Sequence, residues 1–237
     1  MAKIKGITHL KVESDECVSV WEGKAKDCVR SFSVLMDHVN QYFLYQDGRL
    51  IEVNADLGLN IYPFSKNPQK KPGIFAKSAC NHAKIVCVST DFDQKLLWGT
   101  QSAVLVMDRE TGKPCTVGGT GHLFYRIIER GANRFYQKLY LAHGNSRKVN
   151  KALSGMIAEI FAGAVSASTY PLHERTGLTA EERSEISKVM MAQLKPVFSD
   201  YGMELLPISE ISLVRNVVIH QGTPDEVFPP QPYSLMF

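Results

Sequence analysis

The stretch over residues 180–213, AEERSEISKVMMAQLKPVFSDYGMELLPISEISL, admits few structures. Thr179 stands where its hydroxyl can cap a helix. Glu182 stands three residues on, where its carboxylate can return a bond to the Thr179 amide. Ile186, Val189, Met190, Leu194, Val197 and Phe198 then recur at helical spacing, so they share one face that needs a surface to bury it. Pro196 withholds one backbone donor late in the run and bends the helix. Gly202, after Tyr201, can take the left-handed conformation that ends a helix. Residues 203–213 are rich in Leu and Ile and read as a strand. The spacing predicts a helix over 182–200, a stop at Gly202 and a strand to Leu213. Such a unit packs a helix onto a sheet, and none of its side chains marks a reactive centre.

Upstream the apolar period is two. Residues 4–13 and 17–21 alternate as strands joined by Ser14-Asp15-Glu16. Residues 39–45 and 49–53 flank Gln46-Asp47-Gly48, a strong local hairpin signal, and 57–62 read as a third strand. Residues 63–77 hold three prolines, a glycine, Lys66, Lys70, Lys71 and Lys77, and form an exposed loop. Strands follow at 84–90, 95–99, 103–107 and 115–128, with a turn over 108–113. Gly118, Gly119 and Gly121 in the last strand mark a bulge or a close backbone approach. After Gly131 the period becomes 3.6. A short helix is expected over 133–142, then one capped by Asn145 or Ser146, then a break over 166–177 around Pro171. Residues 217–220 add a short strand, and the proline-rich residues 223–237 cannot stay helical for long.

Strands first and helices after them give an α+β fold. A mostly antiparallel sheet occupies the first half, and helices plus a returning strand occupy the second. The chain divides into N-terminal strands with a charged connection (1–30), a main domain (31–213, sheet lobe to about 129, helical lobe from about 130) and a tail (214–237).

Three motifs carry a resemblance. Leu194, Phe198, Tyr201, Gly202, Glu204 and Leu205, followed by Ile208, Ile211, Ser212 and Leu213, form the first. The second is KLLWGTQSAVLVMDRETGKPCTVGGTGHLFYRI over 95–127, with its Trp-Gly-Thr, short strand, Asp turn and Gly-x-aromatic strand. The third is the hairpin region 39–62. In this order they resemble the SPFH superfamily of stomatins, prohibitins and flotillins, and within it the soluble bacterial branch labelled SPFH domain/virion core protein. The likeness runs from about residue 32 to 213. It implies a two-lobed fold in which the 203–213 strand rejoins the sheet region 84–128, and a non-enzymatic, homo-oligomeric scaffold, often at membrane surfaces. It implies no cofactor. The chain departs from stomatins and prohibitins in lacking an apolar N-terminal anchor. No heptads follow Leu213 to build the coiled coil common in the superfamily, and no C-terminal zinc ribbon follows either. Self-association weaker than in coiled-coil relatives is expected, at a cytoplasmic site that is peripheral to the membrane where it meets one.

Composition narrows the alternatives. With 44% hydrophobic and 22% charged residues the chain reads as globular, and a net charge of +3 gives no warrant for a nucleic-acid partner. No run of about 20 apolar residues spans a bilayer. The five cysteines form no Cys-x-x-Cys pair and read as reduced packing residues. Gly118-Gly119-Thr120-Gly121 precedes strand-like residues and not a helix, so a structural bulge is favoured over a phosphate loop. His173-Glu174 has Gly177 where a zinc-protease helix needs its second His. His122, His143, His173 and His220 read as scattered residues before they read as a metal site. Cys87 and Cys115 lie in apolar strands, where thiols are inert. Asp91, Asp93 and Asp108 read as solvated turn residues.

Two contact candidates remain. Trp98 packs a core or meets another subunit, where tryptophans carry interface energy. In the loop 65–76, Lys66, Lys70 and Lys71 stand beside Ile74 and Phe75, a cationic rim next to apolar side chains that suits a membrane surface or a partner. The competing reading tucks Ile74 and Phe75 into the domain. Two further functions stay open at this point: an enzyme using His122, Cys87 or Cys115, and an adaptor that binds a peptide along a sheet edge near Asp47-Gly48.

Overall fold

The structure, a computed structural model, describes residues 4, 6–13, 16–29, 32–35, 40–51, 60–73, 75–90, 92–100 and 103–227. Contacts divide it into unit 1 (residues 1–92, 126–149 and 201–203) and unit 2 (93–125, 150–200 and 204–237).

Unit 1 holds the strands β1 (Ile7–His9), β2 (Val18–Lys24), β3 (Ser33–Leu35), β4 (Asn40–Gln46), β5 (Arg49–Ile51), β6 (Asn60–Ile61) and β7 (His82–Ser89). Asp47 and Gly48 join β4 to β5 with φ of 45° and 80°. Positive φ at both turn positions matches the twist of the flanking strands. The Asp47 carboxylate also accepts the Asn81 and His82 amides at 3.2 and 2.9 Å, which sets where β7 begins. An antiparallel sheet results, in the order β2-β7-β4-β5, beside a smaller sheet β1-β3-β6 whose β1–β3 pair is parallel. Tyr42, Leu44, Ile85 and Cys87 bury one face of the larger sheet with Phe32, Val34 and Ile61. A helical run covers the other face: α1 (Ala132–Phe135), a π-helical turn (Tyr136–Tyr140) and α2 (Leu141–His143). There Tyr45 Oη donates to Asn133 Oδ1 at 2.9 Å, and the Lys84 ammonium lies 5.3 Å from the Tyr136 ring centre. Successive strand residues point to opposite faces, and Ile85, Val86, Cys87 and Val88 are all buried because both faces are covered.

Unit 2 is built round β10 (Pro114–Ile127), whose last two residues lie in unit 1. Strands β9 (Val104–Met107) and β8 (Gln94–Gly99) pair antiparallel with β10 one after the other along one side. Strand β12 (Asn216–Gln221) pairs along the other side, where β11 (Met203–Leu205) also joins β10. The long helices α3 (Ser146–Ala167, in unit 2 from Asn150) and α4 (Ala180–Asp200) cover one face. Trp98 packs on Phe161 with ring centres 5.2 Å apart, and Tyr125 packs edge-on to Phe198 at 5.7 Å. On the other face Leu97, Leu105, Met107 and Val218 stand exposed, whereas Thr116 between β9 and β12 is fully buried.

The local signals before α4 act as expected. The Thr179 amide donates to Glu182 Oε2 at 2.7 Å, and the Glu182 amide donates to Thr179 Oγ1 at 3.3 Å. Gly202 takes a φ of 78° and ends the run. Asn145, not Ser146, caps α3 by accepting the Lys148 amide at 2.9 Å.

Four expectations are corrected. The strand foreseen to Leu213 stops at Leu205, because Pro207 has no N–H to extend a ladder, and a short helix α5 (Ser209–Ser212) follows. Ser209 takes over the ladder with its side chain: Oγ accepts the Phe124 amide at 2.8 Å and donates to the Phe124 carbonyl at 2.9 Å. The strand foreseen over 4–13 is only Ile7–His9. The glycines of β10 form no bulge, since its pairing keeps an unbroken register with β8, β9 and β12. They mark close approach instead: a Cβ on Gly121 would lie 1.9 Å from the Leu213 carbonyl oxygen. Asp108, fourth, is no solvated turn residue and is described with the site. A helical turn α6 (Pro224–Val227) starts the tail. Asp91, the Ser14-Asp15 turn, residues 52–53 and 57–59 of the expected strands, and residues 228–237 lie outside the described residues.

Candidate functional site

The loop 63–77 is held at its base and open at its rim. Pro63, Ser65 and Pro68 are buried. The Gln46 amide donates to the Pro63 and Ser65 carbonyls at 3.0 and 2.9 Å, and the Tyr62 amide donates to the Pro68 carbonyl at 2.8 Å. Phe64 is drawn toward the unit 1 core and meets Trp21 edge-on at 6.2 Å. What this frame displays is Lys66, Lys70 and Lys71, all exposed, and Phe75, whose exposure is 92%. Phe75 therefore does not tuck into the domain. Ile74 lies outside the described residues.

Trp98 takes the core position of the two readings. It is buried, and its indole Nε1–H donates to the Leu213 carbonyl at 2.7 Å, over the gap that Gly121 leaves open. Nearby in chain order, Asp108 is 1% exposed. Its carboxylate accepts four donors: the Leu172 amide at 2.6 Å, the His173 amide at 3.1 Å, and the Thr111 amide and hydroxyl, each at 2.8 Å. Hydrogen bonds to the charged form, led by that from Leu172, hold its carboxyl well below the usual carboxylate range. Asp108 ties the 171–173 segment to the β9–β10 turn. Its two halves lie 64 residues apart, so no local pattern announces it.

The candidate chemical groups do not converge. Cys87 and Cys115 are fully buried, and burial pushes the Cys115 thiol up, away from the reactive thiolate. His173 is held between Gln221 Oε1 at 3.0 Å and the Lys113 ammonium at 3.2 Å, while His122 stands edge-on to Phe124. Among the described residues, no three metal-ligating side chains gather. Two hollows exist. One of about 560 Å³ in unit 2 lies between α4 and α5, lined by Arg183, Ser187, Ile211 and Arg215 among others. One of about 230 Å³ in unit 1 is lined by Tyr45, His82, Lys84, Tyr136 and Leu141 among others. His122, Cys87 and Cys115 line neither. The sequence reading missed Tyr136, whose buried hydroxyl has no partner among the described residues and which opens the π-helical turn. Such turns often mark functional positions, but nothing in the Tyr-Gln-Lys-Leu-Tyr run signals one.

The family model for the SPFH domain-Band 7 family matches residues 75–229, well over half of the chain. The chain belongs to this family. No curated protein matches it. The SPFH span opens at Phe75, so it takes in the displayed phenylalanine but not Lys66, Lys70 or Lys71, and it excludes the hairpin at Asp47-Gly48. It runs beyond Leu213 to include all of β12. The buried Trp98, the Asp108 anchor and the exposed Leu97, Leu105, Met107 and Val218 lie within the SPFH span. Among the described residues, no helix of this SPFH protein is long and apolar enough to cross a membrane.

Proposed function

We propose that the chain is a non-enzymatic scaffold module that self-associates and touches anionic membrane surfaces from the cytoplasm. Family membership supports the scaffold part of the reading. The membrane part is carried by one observation: Phe75 projects into solvent from an anchored loop that also exposes Lys66, Lys70 and Lys71. Each lysine near an anionic surface is worth about 1 kcal/mol. Burying one phenylalanine adds roughly 1.5–3 kcal/mol. The sum supports reversible, salt-sensitive adsorption, since stable anchoring takes two strong signals.

Vesicle flotation tests it. Wild-type protein should float with phosphatidylserine-containing vesicles at low salt and stay down with neutral ones. High salt should reduce the bound fraction, Phe75→Ala should weaken it, and the triple change Lys66→Glu, Lys70→Glu, Lys71→Glu should abolish it. No flotation at low salt would end the membrane reading while leaving the scaffold reading to solution measurements.

A further inference from the structure

We infer that the hollow between α4 and α5 in unit 2 is a binding site for a phosphomonoester that carries a small apolar body. None of the lysine loop lines it, so the site stands apart from the membrane reading. One wall is local to the sequence. Ala180, Arg183, Ser184 and Ser187 recur at helical spacing, and the first turns of α4 present all four to the hollow. The facing wall comes from the segment around α5, with Pro207, Ile211 and Val214, and Arg215 closes it. Ser187 is 1% exposed and lines the hollow, yet its hydroxyl has no hydrogen-bond partner among the described residues. A helical serine commonly bonds back to the carbonyl four residues earlier. This one leaves its hydroxyl to whatever enters.

Charge makes the ligand an anion. Arg183 is held in place by Nη1, which donates to the Leu178 carbonyl at 2.7 Å, and the rest of its guanidinium fork is unused. Arg215 is fixed through its backbone, whose amide donates to the Thr120 carbonyl at 2.9 Å. Its guanidinium pairs with no carboxylate among the described residues. The Thr179–Glu182 box occupies the amides of those two residues and leaves the Ala180 amide at the positive end of a 21-residue helix. Against these stand Glu210, which lines the hollow, and Glu181 and Glu182 in the first turn of α4, of which Glu182 is committed to Arg175 at 2.6 Å. The lining is therefore net positive. Two guanidinium forks, two hydroxyls and a helix-end amide offer more donors than a carboxylate's two oxygens take. They suit a phosphomonoester, with three acceptor oxygens and close to two negative charges. The apolar body follows from Ile211, at 86% the most exposed aliphatic side chain among the described residues, beside Pro207 and Val214. A hollow of about 560 Å³ is of small-ligand size. The same group ends a soluble phosphate ester and the headgroup of phosphatidic acid.

Amide chemical shifts recorded during titration with phenyl phosphate decide it. Wild type should show saturable shifts at Ala180, Ser184 and Ser187 in the millimolar range or below, and phenol should give none. Arg215→Gln removes a side chain with no hydrogen bond or ion pair to a described residue, so it should fold normally and weaken binding at least about tenfold. Ser187→Ala should weaken it a few-fold. Ile211→Ser should weaken phenyl phosphate and leave inorganic phosphate unchanged. The triple loop variant Lys66→Glu, Lys70→Glu, Lys71→Glu should bind phenyl phosphate like wild type, which separates this site from the membrane reading. Dihexanoyl phosphatidic acid, titrated as a monomer, distinguishes the sources: tighter binding than phenyl phosphate at the same amides assigns a lipid headgroup, and weaker binding a soluble ester. Absence of shifts at millimolar phenyl phosphate, benzoate binding more tightly than phenyl phosphate, or full affinity in folded Arg215→Gln overturns the inference.

Discussion

The two sheets use the same alternation differently. In unit 1 the larger sheet is covered on one face by the smaller sheet and on the other by the helical run from Ala132, so Ile85 and Val86, neighbours in β7, are both fully buried. In unit 2 the helices α3 and α4 cover the face that Leu96 shares, so Leu96 is 3% exposed and its neighbour Leu97, on the other face, 67%. In the central strand β7 of the first sheet every apolar residue is buried, while Val20 and Leu50 on its edge strands stand exposed. In the second sheet Leu97, Leu105, Met107 and Val218 alternate with buried neighbours and stand in solvent. The contrast is a statement about cover, because both strands read as similar apolar runs.

The largest expected effect lies on the covered side of the second sheet. Gly121→Val places side-chain carbon where the Leu213 carbonyl sits and pushes on Trp98 Nε1, 2.9 Å from the position of a Cβ. Backbone holds that contact on one side, so the cost should exceed about 4 kcal/mol. Chemical denaturation, or failure to fold at all, reads it out. A variant as stable as wild type would mean that β10 and the 213 segment do not meet as described.

Next come paired alanine substitutions. Ile85→Ala and Leu96→Ala should each cost about 2–5 kcal/mol, and Val86→Ala somewhat less for its smaller side chain. Leu97→Ala should stay within about 0.5 kcal/mol of wild type at concentrations where the protein is monomeric. The pattern costly-costly in β7 against costly-free in β8 is the comparison in numbers. Equal costs at Leu96 and Leu97 would break it.

What was legible in the sequence follows the range of each interaction. The Thr179–Glu182 cap, the Asp47-Gly48 turn and the stop at Gly202 are settled within a few residues, and the helix and hairpin appear where their local chemistry puts them. The exposed lysines of the 63–77 loop were legible for the same reason, since its prolines exclude regular structure. Phe75 was not, because only the anchoring of Pro63, Ser65 and Pro68 decides that it faces out. Asp108 was misread because its partners Leu172 and His173 are distant in sequence. The strand to Leu213 was overextended because its apolar composition hid the effect of Pro207, and because Ser209 mimics a ladder residue that only Phe124 reveals. The exposure of Leu97 could not be read from Leu96-Leu97-Trp98, since alternation tells which residues share a face but not what covers it.

Acid should separate the units with the smallest and most graded effect. Among the described residues, the carboxyls held below their ordinary range are Asp108, Glu182 and Glu226, and all three belong to unit 2. Glu182 is lowered from 4.5 to about 2, first by its hydrogen bonds from Arg175, then by those from Thr179 against the opposing effect of burial. A carboxyl with a depressed folded pKa binds fewer protons folded than unfolded between the two values. Its stabilisation is complete above 4.5 and drains away as pH falls toward about 2. Hydrogen exchange, corrected for intrinsic rates, should therefore show the amides of α4 and β10 losing protection through that window before Ile85 and Val86 do. Thr179→Ala should cost about 1 kcal/mol at neutral pH through loss of the cap. It should also flatten the acid dependence slightly, because one hydrogen bond to the Glu182 network is gone while Arg175 remains. Protection lost first in β7, or an unchanged acid profile in Asp108→Asn, would show that the acid-sensitive contacts do not lie in unit 2.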